Sequence, residues 1–165
     1  MDGLDNLLNQ KLKGFERLAI LGVGSDLRAD DGAGDMVAKR MAITFPPDKY
    51  PNLLCCAGGT APENFSGKIE RFNPTHLLAV DAADMGLNPG EITDIDPDTV
   101  GGPGFCSHLL PLKVMLDYLT GQTGCSVTLV GIQPKTLEFD GAMSDAVLSA
   151  VDIICEAISG IILNR

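Results

Sequence analysis

The chain has 165 residues, 45% hydrophobic and 21% charged, the range of a globular rather than a disordered protein. A single domain over 1–165 is expected, because a chain of this length can bury ~70% of its unfolded surface without help from disulfides or a structural metal. Twelve lysines and arginines face 22 aspartates and glutamates, and no basic cluster offsets the resulting charge of −10, so nucleic acid is excluded as a partner.

Residues 4–12 have the spacing of a short amphipathic helix. The apolar run 18–23 reads as a buried strand, and 34–43 as a helix that Phe45, Pro46 and Pro47 must end. A second strand is expected at 52–57, closed by Gly58 and Gly59, then a weaker helix over 62–71 with Pro62 in its first turn. A third strand, 77–80, ends at Asp81, and the alternation over 91–96 predicts an edge strand. The glycine-rich loop 101–104 leads to a helix over 109–119. A strand at 127–132 and a last helix over 144–158 complete the chain.

Strands and helices alternate throughout. The fold class is therefore α/β: a three-layer α/β/α sandwich around a twisted, mostly parallel sheet of about five strands. No apolar run reaches the ~18 residues of a membrane-spanning helix, and residues 1–13 lack the basic start and apolar core of a signal peptide. The five cysteines (Cys55, Cys56, Cys106, Cys125, Cys155) form no CxxC pair, which suits free thiols in a reducing compartment. A cytoplasmic protein is expected.

Ligands of open α/β sheets bind beyond the carboxyl ends of the strands, which directs attention to three loops. The first is 22–34. Gly22 and Gly24 invite a dinucleotide-binding reading, but Leu27 stands where the third glycine belongs. Asp30 and Asp31 immediately precede a helix. One reading is capping of that helix; two acids exceed what one cap needs, so a metal ligand or a base is the other. The second loop begins at Asp81, a carboxylate ending a buried strand. It either accepts hydrogen bonds from a neighbouring loop or binds a cation. The third holds His108, where the glycine-rich loop meets a helix, as a structural hydrogen-bonder or a ligand; His76, before a strand, reads as a surface or edge residue. Two carboxylates and an imidazole at one sheet edge could hold zinc, nickel or another divalent ion with coordination positions left open. Nucleophilic readings are weaker: there is no GxSxG elbow, and Cys106 and Ser107 lie too near His108 in sequence for a conventional dyad.

Five motifs then add a resemblance. They are GVGSDLRADDGAG at 22–34, GGTAPEN at 58–64, LLAVDAADMGLNPGEITDIDPD at 77–98, CSHLLPL at 106–112 and GIQP at 131–134. In this order, over residues 18–158, the chain resembles the hydrogenase maturation endopeptidases, in particular the branch serving formate-hydrogenlyase-type hydrogenases and their archaeal relatives. Many relatives carry Asn where this chain has Ser25. The resemblance implies an α/β/α sandwich and an endopeptidase with no standard catalytic triad. Such an enzyme removes the C-terminal extension of a nickel–iron hydrogenase large-subunit precursor, cutting after a basic residue once nickel has been inserted. It also implies that Asp31, Asp81 and His108 are the catalytic and metal-contacting residues, with nickel recognised in the substrate and bound at most weakly by the free enzyme. No other cofactor is implied. The alternative is a nickel-dependent checkpoint or chaperone that binds the precursor and releases it uncut.

Overall fold

The computed structural model describes residues 2–100 and 109–164. Four strands that are apolar on both faces, β1 (Leu18–Val23), β2 (Leu53–Gly59), β3 (His76–Ala82) and β5 (Ser126–Ile132), pair in parallel. The half-buried β4 (Ile92–Ile95) runs antiparallel to β5 at one edge, as its alternation predicts, in a sheet of order β2-β1-β3-β5-β4. At the carboxyl ends Val23 stands opposite Gly59 and Gly22 opposite Val80, so β1 and β2 end at the same level and β3 runs slightly beyond them.

Helices α1 (Asp2–Lys11), α2 (Ala33–Thr44) and α5 (Asp145–Leu163) bury their apolar stripes on one face of the sheet. There Val37, Met41, Val151, Ile154 and Ile158 meet Ile20, Leu78 and Val130. Helices α3 (Ser66–Phe72) and α4 (Leu109–Thr123) cover the other face, with Ile69, Leu112, Leu116 and Leu119 against Leu21, Leu77 and Leu129. The three expected layers are present.

Two expectations are corrected. The helix expected over 62–71 opens as a 3-10 turn, Pro62–Phe65, and becomes α-helical only at Ser66. Helix α5 runs to Leu163, five residues beyond the expected end. Its 19 residues average a mean hydropathy of 2.1 over their most apolar window, so one segment does meet the length and composition of a membrane span. It is nevertheless a core helix, because Val147, Val151, Ile154 and Ile158 recur at helical spacing and are buried against the sheet.

Cys55, Cys56, Cys125 and Cys155 are free, while Cys106 lies outside the described residues. Burial pushes the Cys55 thiol up to about 12 and those of Cys56 and Cys155 to about 11, so these three stay protonated and act as small apolar side chains.

The glycines of the first loop make a close backbone approach possible. A Cβ on Gly34 would sit 2.0 Å from the Val80 carbonyl oxygen, and one on Gly24, whose φ is +124°, would sit 1.6 Å from that of Asp31. The start of α2 is thus pressed onto the ends of β1 and β3. At Gly24 the approach that a dinucleotide fingerprint reserves for pyrophosphate is made by the chain's own Asp31. Gly34→Ala is expected to destabilise the fold by more than about 3 kcal/mol, because a rigid backbone oxygen must move. Urea unfolding measures this, and a wild-type midpoint would refute it.

Candidate active site

After β1 the chain leaves the sheet through Ser25 and Asp26 and returns in a 3-10 turn, Ala29–Gly32. The turn sets Asp31 back over the end of β1, where its Oδ2 accepts the Ser25 amide at 2.9 Å. Ser25 itself is buried, and its hydroxyl accepts the Leu27 amide at 3.3 Å.

The neighbouring Asp30 is turned the other way. It is fully buried, and its carboxylate accepts the amides of Lys135 (2.7 Å), Thr136 (3.0 Å) and Ser144 (2.6 Å) and the Ser144 hydroxyl (3.0 Å). Burial alone would raise its pKa, but these donors outweigh burial and hold the carboxyl below the ordinary range. The capping expectation is therefore corrected. Gly32 is the N-cap of α2 and makes no side-chain capping bond; one acid of the pair ties the loop after β5 to the loop after β1, and the other faces a cleft.

Asp81 is the next-to-last residue of β3, paired in register with Gly131 and only 7% exposed. Burial first, and then the charge of Asp31, push its carboxyl up to about 7, against the effect of a hydrogen bond from the Ala82 amide. Among the described residues the donor that reaches it is the Ala82 backbone amide.

Asp31 and Asp81 line one cleft of about 210 Å3 together with Arg28, Asp84, Leu109 and Leu137. The cleft lies above β1 and β3, where the crossover from β1 goes to β2 on one side and the next strand returns on the other; such a reversal leaves a crevice between the two loops. His108 lies outside the described residues, and Leu109, which follows it, lines the cleft. Among the described residues no three His, Cys, Asp or Glu side chains assemble as a metal set, so these residues bring together two of the three expected groups. His76 is remote. It begins β3 at the opposite sheet edge, and its Nδ1 lies 3.1 Å from the Thr75 hydroxyl.

Sequence reasoning gave no role to two residues that shape this cleft. The Gln133 side-chain oxygen accepts the Met85 and Leu87 amides at 2.7 and 3.2 Å, and its amide donates to Asp84 Oδ1 at 3.1 Å. It thereby fixes the loop after β3 and holds the Asp84 carboxyl below the ordinary range. A buried-strand pattern ending directly in Gln-Pro was the available signal: a polar side chain at that point needs a partner across the crevice.

The chain matches the family described as hydrogenase maturation protease over residues 36–161, a span that contains Asp81 and His108 and begins just after Asp31. It is 38% identical over 142 residues to the hydrogenase 3 maturation protease of Escherichia coli K12, covering 86% of this chain and 88% of that protein. Among solved structures it resembles a nickel–iron hydrogenase maturation protease of Thermococcus kodakarensis, with a TM-score of 0.86 and 32% identity over 94% of this chain and 97% of the other. It also resembles the hydrogenase maturating endopeptidase HybD of Escherichia coli, with a TM-score of 0.71 and 26% identity over 86% of this chain and 89% of that one.

Proposed function

This chain belongs to the hydrogenase maturation protease family, a family of peptidases, and on that footing we propose that it removes the C-terminal extension of a nickel–iron hydrogenase large-subunit precursor after nickel insertion. The observation that carries the reading is the convergence of Asp31 and Asp81 in one cleft at the strand-order reversal. Burial and the charge of Asp31 push the Asp81 carboxyl up to about 7, so it is only partly ionised at neutral pH; a divalent cation arriving with the substrate would favour its charged form. Two carboxylates, joined by the imidazole of His108, engage nickel already held by the substrate's thiolates and leave the remaining coordination to the substrate.

Docking then sets the scissile bond against the carboxylate pair, so positioning replaces a built-in nucleophile. A carboxylate kept charged by the arriving cation serves as the general base for the attacking water. Water adds to the scissile carbonyl carbon, its proton passes to the carboxylate, and that proton leaves on the departing amine as the peptide bond breaks. The free thiols among the described residues support a reducing, cytoplasmic setting.

Mass spectrometry of the precursor, incubated with this protein with and without nickel loaded, tests the proposal. Loss of the C-terminal peptide only from the nickel-loaded sample is the expected result. An uncut precursor that is still retained in pull-down would replace the peptidase reading with the checkpoint reading. His108→Ala is expected to reduce processing at least about 100-fold with an unchanged melting temperature; retained processing overturns its place in the site.

A further inference from the structure

Nine large apolar side chains are exposed among the described residues, and three of them, Leu27, Leu137 and Phe139, stand on two loops that meet beside the cleft. Leu137 lines the cleft itself; Leu27 and Phe139 are 54% and 68% exposed. Scattered single apolar residues are ordinary on a surface, whereas a group bordering a reactive cleft marks a contact.

The display is held rigidly. The Asp140 amide donates to the Leu27 carbonyl at 2.8 Å, and the Asp30 amide to the Thr136 carbonyl at 3.2 Å. The Asp30 carboxylate binds the Lys135 and Thr136 amides on the same loop. Ala29 and Asp140 have φ of +45° and +56°, two of the three non-glycine residues with positive φ among those described. Strained backbone persists only where its surroundings over-determine it, and here the strain falls on the two loops that carry the apolar side chains.

We infer that Leu27, Leu137 and Phe139 form the subsite that seats large apolar side chains of the substrate polypeptide next to the scissile bond, and so select the substrate. The inference rests on the peptidase reading above. A peptidase must grip its chain beside the cut; Leu137 lines the cleft that holds Asp31 and Asp81, and Leu27 and Phe139 stand on the two loops that supply Arg28, Pro134 and Leu137 to that cleft. Its flanking residues are the exposed acids Asp26, Glu138 and Asp140 and the exposed bases Arg28 and Lys135, a mixed rim without the cationic excess an anionic lipid surface requires, and the chain's charge of −10 opposes a second copy as the occupant.

The test uses the full-length chain and the nickel-loaded large-subunit precursor. The paired substitution Leu27→Ser with Phe139→Ser is expected to weaken precursor binding about tenfold, leaving kcat at saturation and the melting temperature near wild type. Ile43→Ser, which removes an 81% exposed side chain near the far end of α2, is expected to change nothing. Serine substitutions at apolar precursor residues within a few positions of the cut bond should weaken binding to the wild type and add nothing in the paired variant, a coupling that independent sites do not show. Unchanged binding by the paired variant, or fully additive losses, overturns the inference. A wild type that binds without cutting overturns the peptidase reading and the placement beside a scissile bond, whereas cutting by wild type with unchanged binding of the paired variant overturns the subsite alone; a wild type that does neither overturns both.

Discussion

Asp81→Asn is expected to abolish precursor processing and at the same time to raise the melting temperature at pH 8. Both effects follow from its position at the end of a buried strand, under the influence of Asp31. A carboxyl pushed up to about 7 from 3.8 contributes stability that is fully present below pH 3.8 and lost as pH rises through 7. Above pH 7 the folded wild type therefore carries a destabilising charge that Asn lacks. A shift of this size corresponds to roughly 2–4 kcal/mol, or ~5–10 °C for a chain of this length. The gain should shrink on moving from pH 8 to pH 5, because the wild-type carboxyl then becomes neutral in the fold. Scanning calorimetry of both proteins with a chelator present measures it, and a gain independent of pH would refute the electrostatic account. Asp31→Asn should likewise abolish processing, with a smaller effect on stability, since Asp31 is half-buried and bound to the Ser25 amide.

Asp30→Ala, one residue away, should behave in the opposite way. Removing this carboxylate strips four donors of their acceptor in a fully buried place, namely the Lys135, Thr136 and Ser144 amides and the Ser144 hydroxyl. A loss of about 3–5 kcal/mol is expected, a large part of a typical folding free energy. The wild-type carboxyl lies below its ordinary value, so its contribution is present above about pH 4 and lost as pH falls through its folded value. The deficit of the variant should accordingly narrow in acid. Amide exchange at Lys135, Thr136 and Ser144 should accelerate, while β1 and β3 keep their protection. An Asp30→Ala protein as stable as wild type would remove the latch role.

These adjacent aspartates also mark how far the sequence could be read. Periodicity and turn residues were enough for the strand at 18–23, the helix after Gly32 and the edge strand before Asp96, because burial on both faces or on one stripe leaves a local pattern. The boundaries of α5 and the 3-10 start before Ser66 were not legible, since packing rather than pattern ends those elements.

The sequence by itself determined the α/β class, the family motifs, the absence of a nucleic-acid-binding charge pattern and the pair of acids at the end of the first loop. Tertiary structure decided which acid does what. The Gly24 and Gly34 contacts fold the loop back over β1, and the loop after β5 arrives from more than 100 residues away to occupy Asp30, leaving Asp31 to face Asp81 across the β1–β3 crevice. A hydrogen-bond partner or a neighbouring charge supplied from so far along the chain leaves no mark in local sequence, and that partner is what makes one carboxylate a latch and the other a reactive group.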